Sequence, residues 1–184
     1  MIAAAALVLA AAQGAAPDLA AARASQVGSW VGRLEYRDYQ ADKWFGLPVA
    51  VTISDGGDGV TQIRVADFDD GPRVGNVRIT SVSMLGKDGA TEFTATFRKG
   101  RDPGLDKAQL TLANATDATN WTILSEETGT DDDRPARIRV TTTRAGDTMT
   151  SLKEIDFTDD AKAEWIQRNR QTLTRAARTA APGQ

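Results

Sequence analysis

The chain has 184 residues, a formal net charge of −3, 41% hydrophobic and 26% charged residues, an ordinary globular composition that supports one sizeable core and argues against disorder throughout. It contains no His and no Cys, which removes the commonest metal ligands, the usual general base near neutral pH, the thiol nucleophile and any disulfide. The arginines are scattered and the balance is acidic, so no nucleic-acid partner is expected.

Residues 2 to 12 form an apolar run of Ile, Ala, Leu and Val, followed by Gly14-Ala15-Ala16. The run is shorter than the roughly twenty residues that span a bilayer and reads as a signal-peptide core, although no Lys or Arg precedes it. The alternative is an Ala-rich helical cap on a cytoplasmic protein. The reading divides the chain into a signal peptide and leader at 1–24, a barrel at 25–175 and a flexible tail at 176–184, in a periplasmic or secreted protein. No second apolar segment follows, so no stable membrane span is expected once the leader is removed. Residues 17 to 27 read as a leader remnant or as one short helix able to cap a barrel mouth.

From Gly28 the chain changes character. Short extended runs with turn chemistry between them are predicted at about 28–40, 44–54, 59–68, 73–84, 90–98, 105–113, 119–127, 134–144 and 147–158. Asp55-Gly56-Gly57-Asp58-Gly59, Asp70-Gly71-Pro72, Lys87-Asp88-Gly89 and Ala145-Gly146-Asp147 supply residues that tolerate positive φ between strands. Connections this short join antiparallel neighbours, so the fold class is all-β, a single antiparallel up-and-down barrel of about eight to ten strands. Thr128-Gly129-Thr130-Asp131-Asp132-Asp133 reads as an exposed acidic loop. The stretch 160–175 fits a thin helical stripe or an alternating strand. The strand is favoured, because it would pair with the first strand and remove both sheet edges.

No catalytic residue, metal site or cofactor emerges. Asp67, Asp69 and Asp70 lack the spacing of a calcium loop and read as turn carboxylates, as do Asp55 and Asp58. Glu35 and Asp38 lie on opposite faces of one strand, and Arg33 and Arg37 flank Glu35 in an ion-pairing pattern. No Gly-X-Ser-X-Gly elbow and no Gly-rich phosphate loop is present. The arginines at strand positions read mainly as outer-wall ion-pair partners of Glu35, Glu92, Glu126 and Glu154. The alternative is that some point inward and hold an acidic head group. The parity of strand eight, with Ala136, Ile138 and Val140 on one face, puts Arg137 and Arg139 outside.

Gly28-Ser29-Trp30, followed by Gly32 and a Tyr-rich first strand, resembles the Gly-X-Trp opening of lipocalins and the wider calycin group. The resemblance implies a Trp packed over the closed end of a barrel with an Arg from a late strand set across it, Arg168 or Arg170 being the candidates. About ten strands is nearer the fatty-acid-binding and nitrobindin-like barrels than the eight-stranded lipocalins. The haem chemistry of nitrobindin-like proteins needs a His that this chain lacks, so it is not carried over. The expectation is a non-enzymatic barrel binding a small apolar or amphipathic ligand in a mainly apolar lumen lined by Trp30, Leu34, Tyr36, Trp44, Phe68, Phe97 and Trp121. The rivals are a cell-envelope interaction module and a carboxylate- or Arg-dependent enzyme.

Overall fold

The computed structural model describes residues 17–177. The apolar stretch at 2–12 and the chain beyond 177 lie outside them. After a short helix α1 (Leu19–Ala24), ten strands follow: β1 (Gly28–Asp38), β2 (Lys43–Asp55), β3 (Thr61–Asp69), β4 (Asn76–Leu85), β5 (Thr91–Arg98), β6 (Gly104–Asp117), β7 (Asn120–Asp131), β8 (Arg134–Ala145), β9 (Thr148–Phe157) and β10 (Ile166–Arg175). Each strand pairs antiparallel with its chain neighbours, and β10 pairs with β1 to close the barrel. The stretch before Arg175 is therefore a closing strand, with Trp165 just ahead of it. The seam is tight at Gly32, where a Cβ would sit 1.9 Å from the Thr172 carbonyl oxygen. Only glycine lets β1 and β10 approach this closely.

The turn carboxylates do what turn chemistry requires. Asp58 accepts from the Val60 and Thr61 amides at 3.0 and 2.7 Å, and Asp88 from those of Ala90 and Thr91 at 3.1 and 2.9 Å. Two connections differ from the sequence reading. The β3–β4 link contains a short helix α2 (Gly71–Val74), because Pro72 supplies a helix-ready φ in its first turn. The acidic stretch at 128–133 is not an exposed loop: β7 continues to Asp131, and only Asp132 and Asp133, at φ 54° and 59°, make the turn. Asp131 itself takes an ion pair from Lys153 at 2.9 Å and one from Arg168 at 2.6 Å.

One mouth is closed by α1. Ala22 is fully buried in it, and the indoles of Trp30 and Trp121 seal it beneath, donating to the Gln26 carbonyl and the Ser25 hydroxyl at 2.9 Å each. Val49, Val51, Ile53, Leu85, Leu110, Ile123, Met149 and Leu173 complete this core. The boundary expected at 24/25 thus falls at the end of a helix seated in the barrel mouth. A second, smaller apolar cluster of Ala136, Ile138 and Ile155, with Phe157 and Ile166 against it, lies on the inner face towards the opposite mouth.

The lumen is mainly apolar, as expected, but polar side chains enter it from the closed-end halves of β3, β4 and β5, beside Ala66, Phe68 and Leu85 on the same inner face. The ladder from β2 sets Val49 against Phe68, Val51 against Ala66 and Ile53 against Arg64. With Val49, Val51 and Ile53 buried, that register turns Gln62 and Arg64 inward and Ile63 and Val65 outward, since a one-residue change of parity exchanges the two faces. The same parity passes to Ser81, Ser83, Glu92 and Thr94 on the inside, and to Val82, Met84, Phe93, Ala95 and Phe97 on the outside.

Candidate functional site

The inner faces of β3–β5 meet those of β2 and β6–β10 around two neighbouring cavities of about 260 Å³ each. Ile53, Arg64, Gln26 and Thr142 line both. The first continues along Gln62, Ser81, Ser83, Glu92, Thr94 and Ser125, and the second along Val140, Met149, Ser151, Gln171 and Leu173. Hydroxyls and amides therefore alternate with aliphatic groups, a lining suited to a molecule with both polar and apolar parts.

Two arginines enter this space in different electrostatic states. Arg23, brought down from α1, is 4% exposed. Its Nη2 donates to Glu92 Oε1 at 2.6 Å and to Ser83 Oγ at 3.0 Å, its Nε to the same Glu92 oxygen at 3.1 Å, and its Nη1 to the Val60 carbonyl at 3.1 Å. Its charge is matched. Arg64 donates only from Nη2, to Gln171 Oε1 at 3.1 Å, reaching β10 from β3. Among the described residues no carboxylate lies within ion-pairing distance of it. Desolvation pushes its guanidinium below the usual range, yet arginine starts so high that the group stays charged at neutral pH. Among the described residues, the Nε and Nη1 donors of this cation have no protein acceptor.

The opposite mouth is aromatic and acidic. Tyr36 and Phe45 stack at 5.8 Å between centroids and remain 38% and 59% exposed. Burial and the nearby Asp70 push the Tyr36 hydroxyl up. The β6–β7 ladder extends from the closed end only as far as the Gln109–Glu126 pair, and beyond it Glu127 faces inward. Burial first, then Asp106, pushes its carboxyl up, against an opposing pull from Lys153.

The seven residues expected to line the lumen fall into three groups. Trp30 and Trp121 face inward but are packed into the closed mouth, 1% and 2% exposed. Leu34, Tyr36 and Phe68 also face inward, Leu34 opposite Leu47, Tyr36 at the open mouth and Phe68 against the core. Trp44 and Phe97 are corrected to the outer wall. Phe45 stacks inward on Tyr36, so its neighbour Trp44 points out, between Arg170 at 4.3 Å and Arg37 at 5.6 Å. Phe97 stands opposite outward Thr80. None of the seven lines either lumen cavity.

The outer wall of β8–β10 carries ion pairs of the expected kind. Arg139 meets Glu154 at 2.9 Å and Arg170 meets Glu35 at 2.7 Å, while Arg137 bonds Asp156. Arg170 holds the Glu35 carboxyl below the usual carboxylate range, so it stays ionised. Two of the expected partners differ: Glu92 turns inward to Arg23, and Glu126 is in no ion pair among the described residues. Arg137 and Arg139 face outward over the Trp165 ring, at 5.4 and 4.1 Å. The cations over Trp30 are Arg175 at 4.3 Å and Arg144 at 5.5 Å, not Arg168 or Arg170. Arg168 binds Asp131, and Arg170 faces Glu35 on the outer wall.

No protein-family model matches the chain and no curated protein matches it. Among solved structures it is similar to that of Rv2717c from M. tuberculosis, with a TM-score of 0.58 at 11% identity, covering 85% of this chain and 98% of that one. Likeness at that identity shows a shared barrel fold. No described helix is long and apolar enough to cross a membrane.

Proposed function

We propose that this barrel is a non-enzymatic binding protein whose lumen holds a small amphipathic ligand, with an acidic head group on Arg64 and the apolar part along Ile53, Val140, Met149 and Leu173. The observation that carries the reading is the Arg64 guanidinium, which faces two cavities of about 260 Å³ each with Gln171 as its one acceptor among the described residues. Arg64 is only partly buried, so its free donors open onto the cavity, where a carboxylate or phosphate oxygen is the strongest neutral-pH complement to a guanidinium. The exposed Tyr36–Phe45 mouth offers a route inward, because α1 fills the other end. Export to the periplasm or outside the cell, suggested by the apolar run at 2–12, fits a carrier of such molecules.

The test is mass spectrometry of the protein purified from its natural host, first native and then in denaturing solvent. A stoichiometric small acid released on denaturation supports the reading. A clean apo mass, with no uptake of an added long-chain carboxylate, contradicts it.

A further inference from the structure

The two lumen cavities share Arg64 and diverge from it, the first running towards β4–β7 and the second towards β8–β10. The second carries most of the aliphatic groups assigned to the apolar part of a ligand, and the first is the more polar. In the first, Glu92 takes both of its contacts from Arg23 on Oε1, so among the described residues Oε2 is an acceptor without a donor. The hydroxyls of Thr94, Ser125 and Thr142, which line the same cavity, also have no protein partner among the described residues. Their neighbours differ: Ser81 bonds Thr96 at 3.2 Å and Ser83 accepts from Arg23 at 3.0 Å. None of the four unpartnered groups is sealed in the wall, so each presents its polar atoms to the cavity.

We propose that the acidic group of the ligand is internal rather than terminal, in a phosphodiester amphiphile. Its phosphate lies on Arg64, its apolar chain enters the second cavity, and a hydroxyl-bearing ester group enters the first. This ligand class rests on Arg64 as the acid-binding group and adds the part of the molecule beyond the acid. An apolar chain in the first cavity would take water away from Glu92 Oε2 and from three hydroxyls and return no hydrogen bond, and polar groups buried unpaired are costly. A second acid there would face the Glu92 carboxylate. A hydroxyl both donates and accepts, so it can satisfy the carboxylate oxygen and the Thr and Ser hydroxyls alike, while Leu110 and Ile123 meet the carbon side of a polyol. A carboxylic acid or a phosphomonoester ends at its acid and leaves one cavity empty. A phosphodiester continues on both sides. Its single negative charge also matches a site in which Arg23 and Glu92 neutralise each other and Arg64 has no carboxylate partner among the described residues.

Isothermal titration calorimetry of the full chain with dodecyl phosphoglycerol and with dodecyl propyl phosphate, both below their critical micelle concentrations, tests this. The probes share chain and charge and differ in two hydroxyls. The T94V/S125A variant removes two hydroxyls that line the first cavity and not the second, and far-ultraviolet circular dichroism verifies that it remains folded. The wild type is expected to prefer the glycerol diester by about tenfold or more, since a site built to bond a hydroxyl rejects the analogue that lacks it. T94V/S125A is expected to bind the two probes alike, with no loss of affinity for the propyl diester. A wild type that binds both probes equally overturns the proposal and leaves Arg64 as an acid-binding group. A preference that survives intact in T94V/S125A overturns it as well. A wild type that binds neither probe overturns both the proposal and the reading of Arg64 beneath it.

Discussion

Arg175 in the last strand is the direct cross-strand neighbour of Trp30 in the first, and its guanidinium lies 4.3 Å from the centre of the Trp30 ring. The same side chain donates to the carbonyls of Val27 and Ser25 at 3.1 and 3.3 Å, so one residue fastens the closing strand, the indole floor and the segment leaving α1. Arg144 backs it from β8, bonding the Ser25 carbonyl and, at 2.9 Å, that of Gly146.

Removing the floor should therefore cost more than removing its clasp. Trp30→Ala is expected to destabilise the protein by about 3–5 kcal/mol, the range for a buried aromatic. Arg175→Ala is expected to lose about 1–2 kcal/mol, through its cation–π contact and carbonyl bonds. Urea unfolding followed by circular dichroism distinguishes the two. Equal losses would mean that the clasp and the floor are one cooperative unit.

The plug helix makes its own prediction. Glu92 Oε1 takes both Nε and Nη2 of Arg23, so Arg23→Ala should leave that carboxylate with no cationic partner and detach α1, at a cost of about 3 kcal/mol. Protease digestion should then cut between α1 and β1 in the variant and spare the wild type. Equal resistance would show that Ala22 and the Trp30–Gln26 bond suffice to seat the helix.

Acid sensitivity should reside in the turns. Amide and hydroxyl donors of Val60 and Thr61 hold Asp58 at about 2, and those of Ala90 and Thr91 do the same for Asp88, against an ordinary 3.8. A carboxylate depressed in the fold contributes stability that is full above the unfolded value and lost as pH falls through the folded one. The stability of the wild type should therefore drop between about pH 4 and pH 2. The D58N/D88N double variant should show a shallower slope in that window and no change of slope above it. Equal slopes would move the acid-sensitive groups elsewhere.

The ten-strand meander was legible in the sequence because its signals are local: Gly-Asp turns and extended runs of suitable length. Which face of each strand points inward is a global property. In β3 the apolar residues Ile63 and Val65 suggest one parity, but the register set by Val49, Val51 and Ile53 enforces the other. Arg64, one of the strand arginines read mainly as outer-wall partners, faces inward for that reason, the alternative left open for such arginines. Trp44 and Phe97 were placed in the lumen for a related one: large aromatics are expected inside, yet Trp44 is stabilised outside by Arg37 and Arg170. The Gly-X-Trp opening pointed to a cation over Trp30 but not to Arg175, which the ladder sets directly opposite it.

The most direct measurement is titration of the wild type and R64Q with a fluorescent long-chain fatty acid and with its methyl ester. Losing a charge-assisted contact worth about 1.5–3 kcal/mol corresponds to a tenfold or greater loss of affinity. The account predicts that the wild type prefers the acid by at least about tenfold and that R64Q binds acid and ester equally. A wild type that binds neither, or an R64Q variant that retains the preference for the acid, would contradict it.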